Sequence, residues 1–531
     1  MRLRFVAVVR GDESEGARRE PGADAEVSAS ADPPPLASSQ RRMLAAVRRF
    51  GLAGSLILAV GAIGAGATPV DNPLSGARLI GLPARIPTVA MACSWLGTLM
   101  VVAGWLWLGR FCSPAGGRMI TLRQLTRVGV LWSLPLALAP PLFTRDMYFY
   151  LAQGEAALQG FDPYVLGPEA SLGLHNPLTR NVDILWQDTP APYGPGFLML
   201  ARALAVLVGE NVVTGVLLWR LVMLVGLGMA VWAIPRLARR CGVHPVPALW
   251  LGALNPIVLF HVVSGMHNEA LLVGIMLVAI ELGLRRSGWP TVVLAGVLLS
   301  LGGAIKPPGF IALGFLGVLV ARRNGGRFAD LVKVAVVLAV TLLATMAVVT
   351  AVSGWGLGWL DTYDVPNRII TPLAPLTTFG VAGGGLSMLL GLGDHTDAVL
   401  VITKLVGYAG SAGVCAWMLW RSFRGRIEPL AGLGITLGAV AVLGPVLHPW
   451  YLLWMLVPLA LSTHDARFRI GATGCAAVVA LLIPPSGGGY EDPFQIPLAV
   501  VAALLAFAAL VWLTRDKVPD LLPRKGARRG S

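Results

Sequence analysis

The chain has 531 residues, 55% of them hydrophobic and 13% charged, with a formal net charge of +14. Soluble globular domains are about 45–50% apolar and about 25% charged. A mean hydropathy of +0.71 therefore excludes an ordinary soluble domain and describes a polytopic membrane protein. Nor does the positive charge describe a nucleic-acid binder: the arginines fall in short clusters between apolar runs, where they orient helices and meet anionic headgroups.

The N-terminal MRLRFVAVVRG has an apolar core too short for a signal peptide. Residues 11–40 are polar and rich in Ala, Ser and Pro, so residues 1–45 read as a disordered cytoplasmic tail. A hydrocarbon core of about 30 Å needs about 20 apolar residues in a helix. That rule places spans near 50–68, 87–108, 125–143, 212–235, 246–264, 270–284, 289–305, 308–321, 329–352, 397–420, 429–447, 450–462, 469–484 and 495–513. The expectation is an all-α bundle of about 12–14 transmembrane helices over residues 46–515, with a large loop, 144–211, after the third span. The apolar stretch 197–208 reads as an interfacial or re-entrant helix of that loop, and residues 516–531 as a basic cytoplasmic tail.

Charge gives the parity. If Arg41, Arg42, Arg48 and Arg49 are cytoplasmic, every second loop is basic: Arg110, Arg118 and Arg123, then Arg236, Arg239 and Arg240, then Arg285 and Arg286, then Arg322, Arg323 and Arg327. Arg421, Arg424 and Arg426, then Arg467 and Arg469, continue the series. This puts Asp146, His267-Asn268-Glu269, Lys306, the loop 353–396 and His448-Pro449-Trp450-Tyr451 together on the outer side of the plasma membrane. Cys93, Cys112, Cys241, Cys415 and Cys475 contain no CxxC, which indicates neither a disulfide framework nor a zinc site.

Within Thr144–Tyr164, Asp146 follows Arg145 just after the third span. A carboxylate held at a membrane surface beside apolar walls is a better proton acceptor near neutral pH; the same residue is also a favoured helix cap. Tyr148 and Tyr150 diverge by about 200° on a helix, so they do not share a face, and an interfacial aromatic belt accounts for at least one. Asp162 in GFDPY reads as a turn residue. Trp186 and Tyr193, among the carboxylates and prolines of 166–195, suit either a sugar-binding surface or a rigid cap. His267, Asn268 and Glu269 sit where the chain turns between two spans, as a functional cluster or a helix start. Lys306 is a point charge for a phosphate or a snorkelling lysine, and Arg368 a bidentate alternative. His448 and Tyr451 are interfacial anchors or ligands of a phosphate or a sugar hydroxyl. There is no Walker loop and no GxSxG, so no means of using ATP is visible; no cofactor is expected, and no motif supports a divalent metal.

The segments RDMYFYLAQGEAALQGFDPY, LWQDTPAPYGPGFL, SGMHNEA, IKPPG and HPWY resemble those of the actinobacterial polyprenyl-phosphomannose-dependent α-(1→6)-mannopyranosyltransferases (MptB type), of the GT-C superfamily. The resemblance runs from about residue 45 to about 515 and leaves out both tails. It implies a polyprenyl-phosphomannose donor, a lipid-anchored mannan acceptor of the lipomannan and lipoarabinomannan type, and inversion at the anomeric carbon with Asp146 as base. Arg145, Tyr148, Tyr150, Trp186, Tyr193, His267, Asn268, Glu269, Lys306, Arg368, His448 and Tyr451 become candidate substrate contacts. Many relatives carry two adjacent acids where this chain has Arg145-Asp146-Met147. Two other readings stay open: a GT-C enzyme for another polyprenyl-linked sugar such as arabinofuranose, and a lipid-linked-sugar transporter. The second needs midplane charge or repeated halves, whereas Glu281 and Lys404 lie near span ends.

Overall fold

The computed structural model describes residues 35–112, 120–285, 288–368, 370–371, 373–487 and 495–514. Residues 1–34 and 516–531 of the two expected tails lie outside the described residues, as do Arg118 and Arg286. Among the described residues there are helices and no strands. The longer α-helices are α1 (Ser38–Ala65), α2 (Pro87–Cys112), α3 (Leu122–Leu138), α4 (Asp146–Leu158), α5 (Pro195–Val208), α6 (Val212–Arg240) and α7 (Pro245–Ala253). After a π-helical turn at Val258–Ser264 come α8 (Glu269–Arg285), α9 (Trp289–Gly303), α10 (Pro308–Arg323) and α11 (Phe328–Ser353). Then follow α12 (Pro375–Leu389), α13 (Thr396–Phe423), α14 (Pro429–Leu443), α15 (Leu452–Ser462), α16 (Ala466–Leu482) and α17 (Gln495–Thr514).

Proline at or next to the first helical position, where no N–H partner is lost, starts α5, α7, α9, α10, α12 and α14. Thr121 caps α3 in a reciprocal box with Gln124, and Asn211 caps α6. A helix stands at each of the expected spans. Six of them are long and apolar enough to cross a membrane alone, and a seventh is α7 with the π-helical turn, bent by 59°. Helices such as α9 and α14, with 15 residues each, fall short of the usual crossing length. The stretch 353–396, expected as loop, contains α12; its run of glycines hides an apolar helix from a propensity reading.

The bend lies at Asn255-Pro256. Asn255 satisfies what the break frees: its Nδ2 donates to the Leu251 carbonyl at 2.8 Å, and its Oδ1 accepts from the Val258 N–H at 3.1 Å. Arg220 of α6, buried, donates to the carbonyls of Ala137 (2.9 Å), Ala139 (2.7 Å) and Ser264 (3.3 Å). One guanidinium thereby caps the end of α3 and the end of the π-helical turn, the two elements that lead into Asp146 and His267. α6 and α8 approach closely because Gly226 and Gly274 face each other: a Cβ on Gly274 would stand 2.3 Å from the Gly226 carbonyl oxygen. α5, the short apolar helix of the large loop, packs on α4.

Candidate active site

The site is built around two backbone positions that ordinary residues avoid. Phe143 has φ 70° and Met266 φ 56°, and each shortly precedes a polar cluster, Thr144-Arg145-Asp146 and His267-Asn268-Glu269. Left-handed conformations cost a non-glycine residue about 1–2 kcal/mol, so the surroundings must hold them. The Phe143 N–H donates to the Ser486 carbonyl at 2.8 Å, and its ring stacks on Phe260 at 5.0 Å. The His267 N–H donates to the carbonyl of His261 at 3.0 Å.

Asp146 is the first residue of α4, directly after Arg145 at the cap position. Its backbone N–H donates to Thr144 Oγ1 at 3.1 Å, and its Oδ2 faces His267 Nδ1 at 3.5 Å. The carboxylate keeps 22% of its surface exposed and His267 keeps 1%. Burial raises the Asp146 pKa to about 6; Thr144 and Lys306 pull it down, while Glu269 and Asp183 push it up. Burial, with nearby positive charge, lowers that of His267 far enough to leave it neutral. The contact is therefore a neutral imidazole oriented against a carboxylate, not an ion pair. The His267 ring lies on Trp450, 3.4 Å between centroids and 17° between planes, and His448 stacks on the same indole at 4.5 Å.

Lys306 supplies the positive charge. Its Nζ meets Glu269 Oε1 at 2.5 Å and Asn268 Oδ1 at 3.2 Å, and lies 4.7 Å from the Tyr451 ring centroid. Burial works against its charge, but Glu269, Tyr451 and Asp146 together outweigh this and raise its pKa. Glu269 is fully buried and Lys306 12% exposed, so the ammonium is the member of the pair that reaches open space. The APYGPG element brings the opposite wall. Gly194 and Gly196 donate to the carbonyls of Ile305 (3.2 Å) and Ala304 (2.9 Å), directly before Lys306. A Cβ on Gly194 would fall 2.2 Å from the Ala304 oxygen, so only glycine allows this docking. Tyr193 is thus set edge-on to Tyr150 at 5.2 Å, and Trp186 is stacked on Phe149 at 5.8 Å.

These groups enclose a cavity of about 640 Å³. Asp146, Tyr150, Trp186, Tyr193, His267, Lys306, His448 and Tyr451 all line it. Asn268 and Glu269 stand behind Lys306 and hold it. Arg145 and Tyr148, expected as substrate contacts, do not line the cavity. Arg145 donates to the carbonyls of Asn181, Gly487 and Thr68, each at 3.3 Å, and covers the Tyr148 ring; the Tyr148 hydroxyl donates to the Ala67 carbonyl. Both lock the loop that carries Asp146. The side chain of Arg368 lies outside the described residues. Asp162 accepts from the Tyr164 N–H at 2.9 Å, as a turn residue does. Cavity residues not singled out from the sequence include Phe310, Trp359, Tyr408 and Trp454, whereas Trp450 lies within the HPWY motif. Among the described residues, no three His, Cys, Asp or Glu side chains are grouped to hold a metal ion.

Residues 48–322 match the family described as alpha-(1->6)-mannopyranosyltransferase, N-terminal domain. The chain belongs to this family. Residues 376–512 match the MptB C-terminal domain. A probable alpha-(1->6)-mannopyranosyltransferase of Mycolicibacterium smegmatis is 40% identical over 510 residues, 91% of each chain. One of Mycobacterium tuberculosis is 39% identical, covering 91% of this chain and 90% of the relative. Alpha-(1->6)-mannopyranosyltransferase B of Corynebacterium glutamicum is 36% identical, over 88% and 80%. No solved structure matches. Family and helices together make the chain a membrane glycosyltransferase that moves mannosyl groups.

Proposed function

We propose that the chain transfers mannose from polyprenyl-phosphomannose to a lipid-anchored α-(1→6)-mannan of the lipomannan and lipoarabinomannan type, with inversion and with Asp146 as general base. The supporting observation is that one carboxylate, its pKa raised toward neutral, and one fixed ammonium open into a single cavity whose other walls are aromatic, aliphatic and proline residues. Asp146 takes the proton of the acceptor hydroxyl as its oxygen attacks the anomeric carbon. The bond from that carbon to the phosphate oxygen breaks, and the electron pair leaves on polyprenyl phosphate. Lys306 stabilises the charge that develops there, and because Glu269 and Asn268 already hold it in place, it needs no reorganisation. Neutral His267 orients the Asp146 carboxylate without taking over its role as proton acceptor. Trp186 and Tyr193 offer apolar faces to the sugar rings. The site opens on the outer face of the plasma membrane and both termini are cytoplasmic, in keeping with the alternation of basic loops.

The test is mannosyl transfer from polyprenyl-phosphomannose to a short α-(1→6)-mannoside in membranes, wild type against Asp146→Asn at matched expression. Loss of a general base costs about 10²–10⁴-fold in rate, and that loss is the expected result. Transfer that survives in the variant would remove Asp146 from the mechanism. Wild-type inactivity with this donor would overturn the donor assignment.

A further inference from the structure

The cavity has an apolar neighbour. A groove of about 460 Å³ lies between α10, α11 and α13, and Phe310 lines both it and the cavity. Phe310 sits one turn from Lys306, its ring flat against Gly303: a Cβ there would stand 2.1 Å from the ring. The groove carries no charged side chain, and its one hydrogen-bonding side chain is that of Trp420; the rest of its lining is Leu, Val, Ala, Gly and Phe. On α11 it spans Leu342 to Leu331, about 16 Å at the helical rise. Its side toward the bilayer is bordered by Gly314, Ala335, Ala339 and Ala416, all exposed and too small to close it.

We infer that this groove seats the first isoprene units of the donor's prenyl chain, and that Phe310 marks the boundary between chain and phosphate. This rests on the donor reading above and goes further, in naming the helices that hold the lipid. An anionic head held at Lys306 and an apolar tail leaving past Phe310 together need one polar cavity and one uncharged groove sharing a wall, and Phe310 is such a wall between these two. A second apolar recess, between α3, α6 and α7, shares no residue with the cavity and so fits no ligand whose head lies at Lys306.

The groove is tested by filling it from its open side, with Ala416→Phe and Ala339→Phe on two different helices. Each variant is assayed with mannosyl phosphates carrying a long polyprenyl chain or a two-isoprene chain. The ratio of kcat/KM for the long donor over the short one is expected to fall about tenfold, equivalent to about two buried methylenes. Gly228→Phe, in the separate recess where a side chain meets open space, serves as the control and keeps the wild-type ratio. An unchanged ratio in both groove variants, or an equal fall in the control, overturns the assignment. Wild-type inactivity with both donors would instead sink the donor reading itself. Photolabelling of the wild type with a tail-diazirine donor gives an answer that does not depend on variant folding. Labelled peptides from α10, α11 or α13 are expected, and labelling confined to α3, α6 or α7 would overturn the assignment.

Discussion

The segment from α7 to α8 and the helix α13 are both apolar, yet they are used in opposite ways. From Val246 to Glu281 nearly every residue is buried, whereas only 11% of the apolar window of α13 is covered by protein. The buried segment also carries polar groups, His261, His267, Asn268, Glu269 and Glu281, and it is broken by the Asn255-Pro256 bend. In a bilayer, apolar surface gains little by leaving lipid for protein, so hydropathy does not separate a functional core from a lipid-facing scaffold. What separates them is the price of polarity: ionisable groups persist at membrane depth only where other groups satisfy them. In the buried segment Glu269 pairs with Lys306 and Glu281 with Arg240, while both His261 ring nitrogens and Glu269 Oε2 are buried with no hydrogen-bond partner among the described residues; α13 supplies one wall of a groove.

The largest expected effect of a change in the buried segment's partners is at Lys306. Lys306→Met removes the cation that stabilises the leaving phosphate, and kcat is expected to fall about 10²–10³-fold. The variant also loses the charge that pulls the Asp146 pKa down, so residual activity should depend on a base titrating above about 6. Glu269→Gln makes a sharper test because its sign is opposite. Glu269 pushes the Asp146 pKa up, so without it the ascending limb of the pH–rate profile moves below 6. Loss of one partner of a buried pair also destabilises by about 3–5 kcal/mol, which lowers yield. A merely structural Glu269 would reduce yield and leave the limb in place.

In the wild type the same linkage sets a smaller, continuous effect. Asp146 acts as base only when ionised, so transfer rises with pH through about 6 and falls about tenfold per unit well below it. Stability runs the other way. With the folded pKa raised from 3.8 to about 6, the native state binds the proton more tightly than the unfolded chain. The stabilisation from protonated Asp146 is complete below 3.8 and is lost as pH rises through 6. Asp146→Asn is therefore expected to raise Tm at pH 7 while abolishing transfer; a lowered Tm would show that the charge is stabilised by partners in the fold.

Much of this site was legible in the sequence, because polar residues at the turns of an apolar chain are few and the arginine alternation sorts them onto one face. Asp146, His267, Lys306 and His448 meet at one cavity although they span some three hundred positions. Arg145 and Tyr148 were not separable from Asp146 by spacing, because what occupies them comes from afar: the carbonyls of Thr68 and Gly487 lie 77 and 342 residues from Arg145. Phe310 and Trp454 look like every other apolar residue of a span, and Trp359 lies in a stretch that reads as loop; only packing makes them walls. Composition places a helix at each expected span, but it does not show their unequal lengths: α9 and α14 are apolar but short, and α7 ends at a bend.

The smallest expected effect opposes one methyl group in the two regions. At Gly274, in α8, an added Cβ would press on the Gly226 backbone at 2.3 Å, and backbone cannot swing aside as a side chain can. Gly274→Ala must push α6 and α8 apart, and overpacking of this kind costs about 1–3 kcal/mol. Because α8 begins at Glu269, the shift would also loosen the Lys306 pair, so transfer should fall with Tm. At Gly413, in α13, nothing lies within 4 Å of the added carbon. There the same substitution meets only lipid and gains about 1 kcal/mol of helix propensity in the helix interior. Thermal unfolding of the two variants in detergent is therefore expected to move in opposite directions from the wild type. Equal destabilisation would mean that α13 is covered in the membrane by something that packs on it as closely as α6 packs on α8.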